Sequence, residues 1–159
     1  VRDASRSISS LHGAALAEKL DTVNRAVNRV LRYQEDSVNY GKLDYWATPE
    51  EIIDRGRGDC EDYAILKMAA LKAGGVPMDD MSVVVLKDAR RNVHHAVLAV
   101  RTRGAYTILD NLNDGVKADG AIHTYGPLYS LAADGMWIHG YRQPTPEKAS
   151  LGVPLSSRF

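Results

Sequence analysis

The chain has 159 residues, 45% of them apolar and 25% charged, and its 20 basic and 20 acidic side chains cancel. Length and composition fit one globular domain with enough apolar material for a core, and the charge balance gives no global attraction to nucleic acid or an anionic membrane. No apolar run approaches the roughly 20 residues of a membrane helix, and a single cysteine, Cys60, rules out an internal disulfide or a cysteine zinc cluster.

The opening VRDASRSISS lacks the apolar segment of a secretory leader and an initiator methionine, so it reads as a processed or truncated end that does not fix the compartment. Residues 13 to about 34 predict an amphipathic helix, with Leu16, Leu20, Val23, Val27, Val30 and Leu31 close to a 3.6-residue period. Residues 35–47 read as a loop with Tyr40, Tyr45 and Trp46 packed beneath it. TPEEIIDRG is a compact helix signature. Thr48 suits the N-cap, Pro49 the first helical position, Glu51 the capping-box acid and Gly56 the stop.

A further helix follows at once. Asp59 can cap it, with Asp62 as the reciprocal partner, and Cys60, Ala64, Met68 and Leu71 form an apolar stripe that GGVP terminates. The period then changes from 3.6 to 2. Residues 81–87, 93–101 and 105–111 predict strands, with Arg103-Gly104 as a hairpin turn joining the last two. AIHTYG and MWIHGY add two candidate strands, and 142–159, with three prolines and several serines, reads as a draped tail. Helices followed by antiparallel strands make an α+β domain over 1–159, with its core at about 13–140.

Cys60 is either a small buried hydrophobe or a working thiol. As the first residue of a helix it would lie where unpaired N–H groups and the macrodipole favour a thiolate. A nucleophilic cysteine also needs a base and a group that orients the base. His94 and His95 lie on the second strand, and only one of them can face the helix. Asp110 ends the next strand; a hairpin centred on 103–104 sets 94–97 opposite 113–110, within reach of that histidine. The plain alternative is a core cysteine, a structural histidine and an Asp-Asn turn.

RGDCEDYAILKMAAL, HAVLAVRT and TILDN, in that order, resemble the cysteine-, histidine- and aspartate-bearing segments of the bacterial transglutaminase-like cysteine proteinases, the LapG family. YWATPEEII resembles the segment before the family's cysteine. The resemblance covers roughly residues 13–140. It implies a papain-like or transglutaminase-like fold, the nucleophile's helix packed on an antiparallel sheet, with Cys60 as nucleophile, His95 as base and Asp110 as orienter. His95 is preferred to His94 because the family's histidine directly precedes the A-V-L run.

The carboxylates beside Cys60 oppose its ionisation. Asp59 and Asp62 can be spent on the helix N-terminus with Glu61 in water; alternatively Asp59, Glu61 and Asp62 hold a divalent cation. An oxygen cluster of this charge suits calcium better than zinc, and the EF-hand pattern is absent. The resemblance implies calcium dependence with those three as ligands. It further implies a periplasmic endopeptidase that cuts a large surface adhesin near its N-terminus to release biofilm. Its inhibitory partner would be the periplasmic domain of an inner-membrane cyclic-di-GMP receptor. A transglutaminase-like acyl transferase, a cell-wall amidase and a non-catalytic calcium-binding docking module remain as alternatives.

Overall fold

The computed structural model describes residues 15–140. Helix α1 (Leu16–Val30) buries Leu20, Val23, Asn24 and Val27 and so follows the expected period. The expected start at residue 13 and the expected tail at 142–159 lie outside the described residues. Strand β1 (Arg32–Tyr33) follows, then a single-turn helix α2 (Asp36–Asn39) inside the segment expected to be loop. Tyr40, Tyr45 and Trp46 do pack against the core from that segment.

Helix α3 (Pro49–Arg55) carries the complete capping box. The Glu51 N–H donates to Thr48 Oγ1, and the Thr48 N–H donates to Glu51 Oε2. Gly56 ends the helix at φ +63, a left-handed conformation that glycine adopts without cost. Strand β2 (Arg57–Gly58) then pairs in parallel with β1, which ties the acidic 35–47 segment to the start of helix α4 (Cys60–Ala73). A side chain at Gly58 has no room: an added Cβ would lie 2.3 Å from Asp62 Oδ2.

Helix α4 is buried on more sides than a single stripe predicts. Leu66, Lys67 and Ala70 are buried as well as Ala64 and Leu71, whereas Met68 is only half-buried. The helix packs on α1, α3 and the sheet, so a one-faced pattern would leave apolar contacts unmade.

The sheet has six antiparallel strands in the order β6-β5-β4-β3-β7-β8. These are β3 (Met81–Asp88), β4 (Val93–Thr102), β5 (Ala105–Asp110), β6 (Asn113–Ala118), β7 (Tyr125–Ala132) and β8 (Gly135–Ile138). Arg103 and Gly104, both at positive φ, make the tight β4–β5 turn, and the register of Leu98 opposite Leu109 is the one a centre at 103–104 requires. β6 has no signature in the sequence, because it is a largely exposed edge strand without apolar alternation. AIHTYG is mostly a 3-10 turn and loop; the strand starts only at Tyr125 and continues through Pro127 beside a bulge against β3. One face of the sheet packs on the helices through Val83, Ala96, Leu98, Val100 and Leu109. Leu86, Val97, Ala99 and Ile108 form a smaller cluster on the other. Among the described residues, no helix is long and apolar enough to cross a membrane. The chain has the mixed helical and antiparallel architecture expected from its sequence.

Candidate active site

Cys60 opens α4 and is half-buried. It lines a cleft of about 650 Å³ together with His94, His95, Ala96, Trp46 and Tyr33. β4 pairs with β5 only as far as Leu98, but its 93–97 stretch stays paired with β3, and the cleft runs over β4, Val85 of β3 and Leu128 and Tyr129 of β7. There the Ala96 N–H favours the Cys60 thiolate.

His95 is buried, and its Nε2 lies 2.9 Å from Asp110 Oδ1. Asp110 Oδ1 also accepts the Leu112 N–H, and Oδ2 accepts the Tyr125 hydroxyl at 2.6 Å. Burial alone would raise the Asp110 pKa, but these donors outweigh it and hold the carboxylate at about 2. The structure thus brings His95 and Asp110 into contact and sets Cys60 in the same cleft as His95. No hydrogen bond joins Cys60 to His95; the thiol donates to Glu61 Oε2 at 3.3 Å.

By strand alternation the histidine on the helix side is His94, not the His95 chosen as base from the family resemblance. His95 shares its face with Val97 and Ala99, in the cluster away from α4, while His94 is on the helix side and exposed. Both nonetheless line the cleft that holds Cys60, although each is paired with β3, at Lys87 and Leu86.

The carboxylates form a larger cluster than the sequence revealed. Asp59 makes no side-chain cap on α4, and neither Asp62 oxygen finds a hydrogen-bond partner, so the expected capping box is not formed. Glu61, whose plain role was to face water, is buried. Asp36, buried at the start of α2, is the hub. Single oxygens of Asp36, Asp59 and Asp62 lie within 4.8 Å of one another, and so do those of Asp36, Asp44 and Glu61. Asp36 Oδ2 accepts the Tyr45 N–H, whereas its Oδ1 and Asp59 Oδ1 have no partner. Asp36 and Asp44 were missed because only the β1–β2 pairing carries their segment to the head of α4. An excess of acids in the 35–47 stretch was the one available signal.

Burial, then the Asp59 carboxylate, lifts Glu61 to about 9. Burial, then the charges of Asp59 and Asp36, lifts Asp62 to about 7. Burial and then the Glu61 carboxylate push the Cys60 thiol well above its ordinary range, against the Ala96 N–H. The low thiolate pKa expected of a helix start is therefore not a property of the bare cluster. Buried carboxylates with orphaned oxygens are the donor set of a hard cation such as calcium, which would remove that opposing charge.

The family profile described as bacterial transglutaminase-like cysteine proteinase matches residues 2–139. Legionella pneumophila LapG is similar in structure at 33% identity and a TM-score of 0.76, over 86% of this chain and 76% of that one. Its calcium-bound form matches at 32% identity and 0.78, over 94% and 82%. Its EGTA-treated form matches at 32% and 0.79, over 94% and 81%. No curated protein sequence matches. A match across most of the chain, with a cysteine at a helix start beside a histidine-bearing strand, settles the kinship: the chain belongs to the bacterial transglutaminase-like cysteine proteinases.

Proposed function

We propose that this chain is a calcium-dependent cysteine endopeptidase of the periplasm that cleaves a large cell-surface adhesin near its N-terminus and so controls biofilm release. The observation that carries the reading is the buried His95–Asp110 pair, one ring nitrogen bonded to the carboxylate, with His95 lining the cleft that also holds Cys60. Family membership supports the peptidase chemistry. The adhesin, and inhibition by the periplasmic domain of an inner-membrane cyclic-di-GMP receptor, follow from the family resemblance.

In the proposed reaction Asp110 fixes the imidazole of His95 through Nε2, which directs Nδ1 to the cleft. His95 takes the thiol proton, and the Cys60 sulfur attacks the scissile carbonyl carbon. The oxyanion draws on the N–H groups at the start of α4, which have no intrahelical partners. His95 then gives the proton to the departing amine, and a thioester to Cys60 remains. Water, deprotonated by His95, attacks that thioester; a carboxylic acid leaves and the thiol regains its proton.

Asp59, Glu61 and Asp62, joined by Asp36 and Asp44, are the residues that would hold calcium. The ion would supply positive charge that neutralises the cluster beside the nucleophile. The calcium-bound and EGTA-treated forms of the Legionella protein support this reading.

The test is incubation of an adhesin N-terminal fragment with wild type and Cys60→Ala, with calcium and with chelator. One new N-terminus should form, only with wild type and calcium. Incorporation of a labelled amine instead of hydrolysis would favour acyl transfer, and cleavage by Cys60→Ala would end the cysteine mechanism.

A further inference from the structure

We propose that Tyr125 is a positioning residue for this site: its hydroxyl locks the plane of the Asp110 carboxylate while its ring braces His95. The inference rests on the reading of Cys60, His95 and Asp110 as a catalytic set, and adds a fourth member from a different part of the chain.

Asp110 Oδ1 is shared by His95 Nε2 and the Leu112 N–H, both at 2.9 Å. Those bonds resist rotation of the carboxylate about its last torsion, which is broad and roughly two-fold for aspartate, from one side only. Tyr125 engages the other oxygen at 2.6 Å, so rotation in either sense must stretch bonds to both oxygens. A carboxylate so held keeps its oxygen on the His95 ring, and hence keeps Nδ1 on the cleft.

The ring adds a second restraint. Its centroid lies 5.9 Å from that of His95 at an interplanar angle of 65°, an edge-on contact that limits tilting of the imidazole. Tyr125 is itself anchored as the first residue of β7, opposite Asp88 of β3. Asp88 accepts the N–H groups of Arg90 and Arg91, so both ends of the contact are fixed. The ring also packs against the apolar cluster of Leu86, Val97, Ala99 and Ile108, so a purely structural role is the competing explanation.

Tyr125→Phe separates the two, because it keeps the ring and removes only the hydroxyl. It should lower kcat about tenfold and leave KM near wild type, with only the few degrees of melting temperature that one charge-assisted hydrogen bond carries. Alkylation of Cys60 by iodoacetamide, which needs no substrate, should slow by a similar factor. Tyr125→Leu should show the same kinetic loss together with a lower melting temperature.

Wild-type kcat and alkylation in Tyr125→Phe would overturn the inference. If Asp110→Asn still slows alkylation, the catalytic reading survives that failure. If alkylation ignores Asp110→Asn and His95→Ala alike, the catalytic reading falls and the role of Tyr125 falls with it.

Discussion

His95 meets Asp110 through Nε2, at 2.9 Å, and this choice of nitrogen decides what the rest of the ring can do. With Nε2 committed, Nδ1 is the atom left for the thiol. Asp110→Asn keeps the size of the side chain but removes the charge that fixes the ring. On the proposed mechanism kcat falls roughly 100- to 10,000-fold. The fold should remain, since Leu112 and Tyr125 still have an oxygen or nitrogen to meet. Steady-state kinetics with circular dichroism checks both halves; activity within a factor of two of wild type would exclude Asp110 as the orienting group.

Calcium should stabilise the chain as well as activate it. A ligand at a hundredfold excess over its Kd adds about 2.7 kcal/mol, or roughly 5–10 °C in Tm for a chain of this size. EGTA should remove that increment, and Asp36→Asn should remove most of it in the presence of calcium, because Asp36 belongs to both carboxylate groupings. Thermal melts with and without calcium measure it. A normal calcium shift in Asp36→Asn would show that the ion sits elsewhere.

The same cluster sets a pH dependence. In the metal-free chain Asp62 is raised to about 7 from an ordinary 3.8. Its folded-state stabilisation is therefore complete below about 4 and is lost as pH rises through 7. At the proposed site calcium would have to displace that proton, so its apparent affinity should weaken as pH falls below 7. The difference in Tm between calcium-loaded and EGTA-treated protein should widen from pH 5 to pH 8. A difference that does not change over this range would contradict the buried, protonated carboxylate.

How much of this was legible beforehand depended on whether the signal was local. The α3 capping box, the Arg103-Gly104 turn and the Cys60 helix are written in a few adjacent residues, and all three form. The Asp110 register followed from the turn alone. Asp36, Asp44 and Tyr125 carry no such mark. Asp36 lies 24 positions from Cys60, and Tyr125 reaches Asp110 only through the path of β7. For His94 and His95, alternation does separate the two faces, yet both side chains line the cleft, so strand parity alone does not select the base.

Gly58 tests the cage from the backbone side. A methyl group there would sit 2.3 Å from Asp62 Oδ2 and 2.5 Å from Asp62 Cβ, so either the carboxylate or β2 must move. Gly58→Ala should destabilise the protein by about 1–3 kcal/mol, the usual cost of overpacking. It should also weaken calcium binding. Gly56→Ala is the control: its φ of +63 strains any side chain, but nothing lies within 4 Å of the added carbon. It should lose about 1 kcal/mol and keep its calcium affinity. Calorimetric titration that finds equal affinities in the two variants would break the link between Gly58 and the site.

Lys67 makes the last and least expected prediction. It is 0% exposed, its Nζ has no hydrogen-bond partner, and the centroid of the Tyr63 ring is 5.8 Å from it. Burial pulls its pKa from 10.5 down to about 7, although Asp110 and Asp114 partly oppose the shift. Between those two values the unfolded chain holds a proton that the folded chain has released. Stability must therefore rise with pH across that interval, by an amount on the order of 3–5 kcal/mol from this group. Lys67→Met keeps the length and apolar character of the side chain without the amine. It should raise stability near pH 7 and flatten the slope between pH 7 and 10, as read from urea melts at each pH. A variant that keeps the wild-type slope would mean that Lys67 is charged in the folded protein and paired with one of those aspartates.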